Sequence, residues 1–139
     1  MFMKLGRAVL LGALALSVVA SPVVLVASEA AVQQQSVRHI VIFKYKTGTT
    51  PEQINEVTEA FRALQKKIPG ITAFEDGVNN SPENKNQGFT HVYTVTFESE
   101  AARNAYLPHP EHRKFGQLLG NSGIFVDAFV VDYVPTRSK

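Results

Sequence analysis

VRHIVIFKY, residues 37–45, decides how the rest of the chain must be arranged. Its β-branched and aromatic content marks a strand. Alternation puts His39, Val41, Phe43 and Tyr45 on one face and Arg38, Ile40, Ile42 and Lys44 on the other. Large apolar groups stand mid-strand on both faces, the pattern of a central strand covered on both sides.

The residues that follow supply the first cover. Thr50, Pro51 and Gln53 combine a cap, a proline at the first helical position and a capping box, and the spacing predicts a helix from Pro51 to about Lys67. Ile54, Val57, Phe61, Leu64 and Ile68 recur at intervals of three and four and form its apolar stripe. Pro69-Gly70 ends it. Residues 71–78 (ITAFEDGV) read as a weaker second strand and residues 79–88 (NNSPENKNQG) as a loop. In the third strand, residues 89–98, His91, Tyr93, Val95 and Phe97 alternate with Thr90, Val92, Thr94 and Thr96. Ser99 caps a short helix from about Glu100 to Tyr106. Another helix starts at Pro110 and runs to about Leu119, where Gly120-Asn121-Ser122-Gly123 stops it. Residues 124–134 (IFVDAFVVDYV) make the last strand.

The order β-α-β-β-α-β belongs to the α+β class and to the ferredoxin-like plan, a four-stranded antiparallel sheet with helices on one face. The first and third strands are expected to be central neighbours running parallel, which places His39 beside His91 at roughly 5 Å. Ile40, Ile42, Val92 and half of the last strand then lie on a face without helices, more apolar surface than a soluble monomer normally shows. Pairing two copies sheet to sheet covers it, so the expected assembly is a homodimeric α/β-barrel.

The chain has 139 residues, 45% hydrophobic and 19% charged, enough for one modest domain. Residues 1–30 have a basic start (Lys4, Arg7), an apolar run and small residues at Ser28 and Ala30, and read as a secretory signal cut after about Ala30. The rival is an uncleaved anchor, since the apolar stretch continues to Ala27; Ser17, Ser21 and Pro22 argue against it. Residues 31–36 are then a tether, 37–135 the domain and 136–139 a tail. An exported protein, periplasmic or secreted and off the membrane once cleaved, is the expectation. The sequence has no cysteine, which excludes disulfides and thiolate nucleophiles. Cleavage removes Lys4, Arg7 and Glu29 and leaves 12 basic against 11 acidic side chains, too even a balance for a nucleic-acid partner.

Chemistry concentrates in YLPHPEH, residues 106–112. His112 stands three, four and seven residues from Phe115, Gly116 and Leu119, on the inward stripe of its helix, whereas His109 precedes Pro110 at the cap. His112, His39 and His91 are expected to converge on one pocket. Three imidazoles match a catalytic zinc shell, but the chain has no H-E-x-x-H register and Glu111 points away from His112. No metal and no cofactor are expected. The remaining readings are acid–base chemistry, in which His112 exchanges protons and Tyr106 assists, and a structural role with core histidines. Asp127 and Asp132 fall on opposite faces of the last strand and make no carboxylate pair. Phosphate-binding glycine loops and G-x-S-x-G elbows are absent.

Residues 37–135 resemble the stress-responsive dimeric α/β-barrel (Dabb) domain family. The resemblance rests on VRHIVIFKYK, GFTHVYTVTFES, the HPxH of YLPHPEH and the terminal FVVDYVP. It implies a ferredoxin-like protomer that dimerises through its sheet. One plant branch of that family closes a linear polyketide by an aldol reaction, using a histidine that matches His112; its other histidines match His39 and His91, and a tyrosine matches Tyr106. A further tyrosine of that branch is matched here by Phe61, which has no hydroxyl, so the cyclase reaction is not carried over. The expected function is a stress-response-type protein that binds a small, partly apolar ligand between sheet and helices, with Phe43, Phe61, Phe97 and Phe115 around it. A cofactor-free cyclase- or lyase-like enzyme with His112 as base, and an assembly protein, are the alternatives.

Overall fold

The computed structural model describes residues 35–136; the expected signal sequence lies outside them. The elements are β1 (Val37–Tyr45), α1 (Pro51–Arg62), α2 (Leu64–Lys67), β2 (Ile71–Val78), β3 (His91–Phe97), α3 (Glu100–Tyr106), α4 (Pro110–Asn121) and β4 (Phe125–Tyr133). The strands form one sheet in the order β2-β3-β1-β4, every neighbouring pair antiparallel. This is the expected ferredoxin-like protomer.

Local chemistry sets the element ends. Thr50 Oγ1 accepts from the Gln53 amide at 3.3 Å, and Gln53 Oε1 accepts from the Thr50 amide at 3.0 Å, completing the capping box. A turn at Ala63 divides the expected first helix into α1 and α2. The last helix passes Gly120 and ends at Asn121, where Ser122 Oγ donates to the Leu119 carbonyl. At the other helix stop, Gly70 has φ +87°, and a Cβ there would stand 2.6 Å from Ala102 Cβ. Gly70→Ala is therefore expected to cost about 1–3 kcal/mol for the backbone alone, read as a lower denaturant midpoint with an unchanged slope.

The expected parallel pairing of β1 and β3 is corrected. The α1–α2 crossover brings β2 in alongside the direction of β1, the loop reverses the chain, and β3 enters beside β1 running the other way. His39 stands opposite Val95, and His91 opposite Phe43. Four residues of strand separate the two histidines, about 13 Å.

One face of the sheet packs on the helices through Val37, Val41, Phe43, Tyr93, Val95 and Phe97, all buried. The other carries Ile40, Ile42, Val92, Phe129, Val131 and Tyr133, the last three 53%, 41% and 47% exposed. A contiguous apolar surface of this kind marks an interface.

Candidate functional site

The site is built where β1, β4 and the α3–α4 corner meet. In register, His39 on β1 faces Asp132 on β4, and both point to the helix side. His39 Nδ1 lies 2.6 Å from Asp132 Oδ1, and Arg103 from α3 binds the other oxygen of that carboxylate. Burial, reinforced by the Arg103 charge, brings the His39 pKa down from 6.5 to about 4. His39 is accordingly neutral at pH 7, with its Nδ1–H donating to Asp132.

That shift has a consequence for stability. A histidine held neutral by the fold contributes fully above its unfolded pKa of 6.5, and the contribution is lost as pH falls towards 4. At about 1.4 kcal/mol per pH unit the loss is roughly 3 kcal/mol. Denaturation measured from pH 7 to pH 4 is expected to show this decline, and His39→Gln to lack it.

Tyr106 ends α3 fully buried, its ring 5.0 Å from that of Phe97 and 5.8 Å from that of His39. The His112 ring lies 4.2 Å from that of Tyr106, tilted by 34°. Burial raises the Tyr106 pKa, so the phenol keeps its proton. Its hydroxyl is buried without a hydrogen-bond partner among the described residues. His112 Nδ1 meets the Leu107 carbonyl at 3.0 Å. The carbonyl can only accept, so Nδ1 carries the proton and Nε2 is the basic nitrogen. His109, as expected for the cap, accepts from the Glu111 amide at 3.2 Å.

The expected triple convergence is thus corrected to His39, Tyr106 and His112. His91 belongs to the far end of the sheet, where it bonds Thr90 at 2.9 Å and packs on Tyr45, 5.1 Å between rings. The four phenylalanines fill the layer between sheet and helices with their own rings: Phe61 stacks on Phe115 at 4.5 Å and on Phe43 at 6.0 Å, and Phe97 is wholly buried. The ligand space expected among them is taken by the aromatic core. On the helix side of β4, Val130, opposite Val41, is 52% exposed.

Asp132 and Arg103 escaped the sequence reading. Parity does put Asp132 off the Asp127 face, but only the β1–β4 register puts it on His39. Arg103 lies on a seven-residue helix whose facing strand no local pattern names. Among the described residues, no group of three or more His, Cys, Asp or Glu side chains is placed to hold a metal ion.

Comparison with known proteins agrees with this architecture. The family model of the stress responsive A/B barrel domain, Dabb, matches residues 37–135. The Arabidopsis thaliana stress-response A/B barrel domain-containing protein HS1 is 36% identical over 100 residues, 72% of this chain and 90% of its own. Olivetolic acid cyclase of Cannabis sativa is 29% identical over 102 residues, 73% of this chain and 99% of its own. Among solved structures, the hydroxynitrile lyase of Passiflora edulis superposes with a TM-score of 0.67 at 26% identity, covering 76% of this chain and 97% of that one. A protein from Jannaschia sp. described as dimeric and ferredoxin-like gives 0.57 at 27% identity, over 70% and 97%. With the β-α-β-β-α-β protomer and a family match across the whole folded part, the chain belongs to the stress-responsive A/B barrel (Dabb) domain family.

Proposed function

We propose that the protein is an exported homodimer that binds a small, partly apolar carbonyl compound beside β4 and moves a proton next to its carbonyl without a cofactor. The observation that carries this reading is the buried hydroxyl of Tyr106, without a partner among the described residues, on a ring that packs against both the His39 and the His112 rings. A hydroxyl left unsatisfied in a core costs about 1–3 kcal/mol, and such exceptions point to a functional group. In this mechanism Tyr106 donates to the substrate oxygen, and His112 Nε2 takes the proton from the adjacent carbon. The negative charge then spreads onto the oxygen that Tyr106 holds. Asp132, fixed by Arg103, orients His39, which bounds the tyrosine. The named activities of two relatives, a cyclase and a hydroxynitrile lyase, support carbonyl chemistry on this scaffold. Dimerisation is supported by the uncovered apolar sheet face and by the dimeric relatives.

The test is exchange of hydrogen for deuterium beside the carbonyl in a panel of small ketones and aldehydes, followed by NMR in heavy water. Exchange above the buffer rate is expected, with a loss of at least tenfold in Tyr106→Phe and more in His112→Ala. Tyr106→Phe is also expected to keep or slightly raise stability, because it deletes the unsatisfied hydroxyl. A variant that loses stability with no exchange activity in either protein would show that the tyrosine serves only the core.

A further inference from the structure

Away from the His112 site, the outer face of the sheet carries a cleft that the proposed chemistry does not use. Its floor is Ile42, Val92 and Phe129, and Phe89 closes one side, its ring 6.2 Å from that of Phe129. The other wall is the β2–β3 loop, which contributes Asn79 and residues 85–87. The volume is about 270 Å³, room for roughly nine water-sized units at about 30 Å³ each.

The loop wall is built rather than loose. Asn79 donates from its backbone to Thr90 at 2.7 Å, Phe89 to Asn86 at 2.8 Å, and the Asn86 side chain to the Phe89 carbonyl at 3.1 Å. Lys44 Nζ bonds the Gln87 carbonyl at 3.0 Å and lies 5.8 Å from the Phe89 ring. Asn84, Gln87 and Gly88 all take positive φ, backbone that the other contacts must hold in place. Asp127 stands opposite Lys44 in the β1–β4 register. The lining residues include one charged residue, Lys85, and no carboxylate. Lys85 makes no ion pair among the described residues.

From an apolar floor, a preformed wall and one unbalanced cation, we infer that this cleft is a second ligand site, for a small monocarboxylate with a short apolar body. The body lies on Ile42, Val92 and Phe129, and the carboxylate meets Lys85. Because these floor residues also belong to the face assigned above to dimerisation, the bound acid sits at the seam between copies and strengthens their pairing. That last step alone rests on the dimer reading.

Octanoate, with ten non-hydrogen atoms, is the probe, and calorimetry on the purified full chain is the measurement. Octanoate is expected to bind at least tenfold tighter than octan-1-ol, and octylamine not to compete. Lys85→Gln, an exposed substitution that leaves the fold intact, is expected to remove that tenfold. Equal binding of acid and alcohol, or an octanoate affinity unchanged in Lys85→Gln, overturns the site. So does octanoate binding that appears only after Val131→Asp has separated the copies, which would make the partner's surface the occupant. Sedimentation in parallel separates the two readings: Lys85-dependent binding to a monomer keeps the site and removes the dimer.

Discussion

Phe61→Ala is expected to lower the unfolding free energy by about 3–5 kcal/mol, the range for truncating a buried aromatic. Phe61 sits on the inward face of α1 at 2% exposure. Its ring stacks on Phe115 of α4 and Phe43 of β1 and meets Phe74 of β2 and Tyr93 of β3 at 5.2 and 5.3 Å. One side chain therefore ties α1 to α4 and to three of the four strands. Domains of this size are stable by only about 5–15 kcal/mol, so the variant stands close to unfolding. Urea denaturation read by circular dichroism checks this. A loss under 1 kcal/mol would mean that the layer collapses around the gap.

Val131→Asp is expected to weaken the proposed homodimer by roughly a thousandfold or more in dissociation constant. Val131 lies opposite Ile40 on the uncovered face, flanked along β4 by Phe129 and Tyr133. A carboxylate buried there without a partner costs about 3–5 kcal/mol, two-fold symmetry imposes it in both copies, and each 1.4 kcal/mol is a factor of ten. The protomer itself should stay folded, because that side chain faces away from the helices. Sedimentation velocity at micromolar concentration is the measurement, with circular dichroism as the folding control. A variant that sediments with the wild type places the contact elsewhere.

The strands, helices and caps were readable because each is written in local chemistry. The capping box at Thr50 and Gln53 involves residues three apart, and the parity of VRHIVIFKY separates the two faces through successive residues. The same parity identified Ile40, Ile42 and Val92 as the uncovered face, which the register confirms. His112 was legible as the inward histidine of its helix, and it does meet Tyr106. His91 was misplaced because a two-residue period tells which face a side chain takes and nothing about its height along a neighbouring strand.

The sequence by itself determined the class of fold, the helix-facing and open faces of the sheet, and the inward turn of His112, since these follow from periods of two and 3.6 residues and from caps. Tertiary structure alone decided that β3 runs against β1, that Asp132 reaches His39 across 93 positions of sequence, and that Arg103 holds the far side of that carboxylate. It also decided that the four phenylalanines fill the core and that Tyr106, whose hydroxyl has no hydrogen-bond partner among the described residues, packs its ring against two imidazoles. The physical reason is that local pattern fixes direction, whereas strand register and side-chain packing fix height and distance, and chemistry at a site depends on distance.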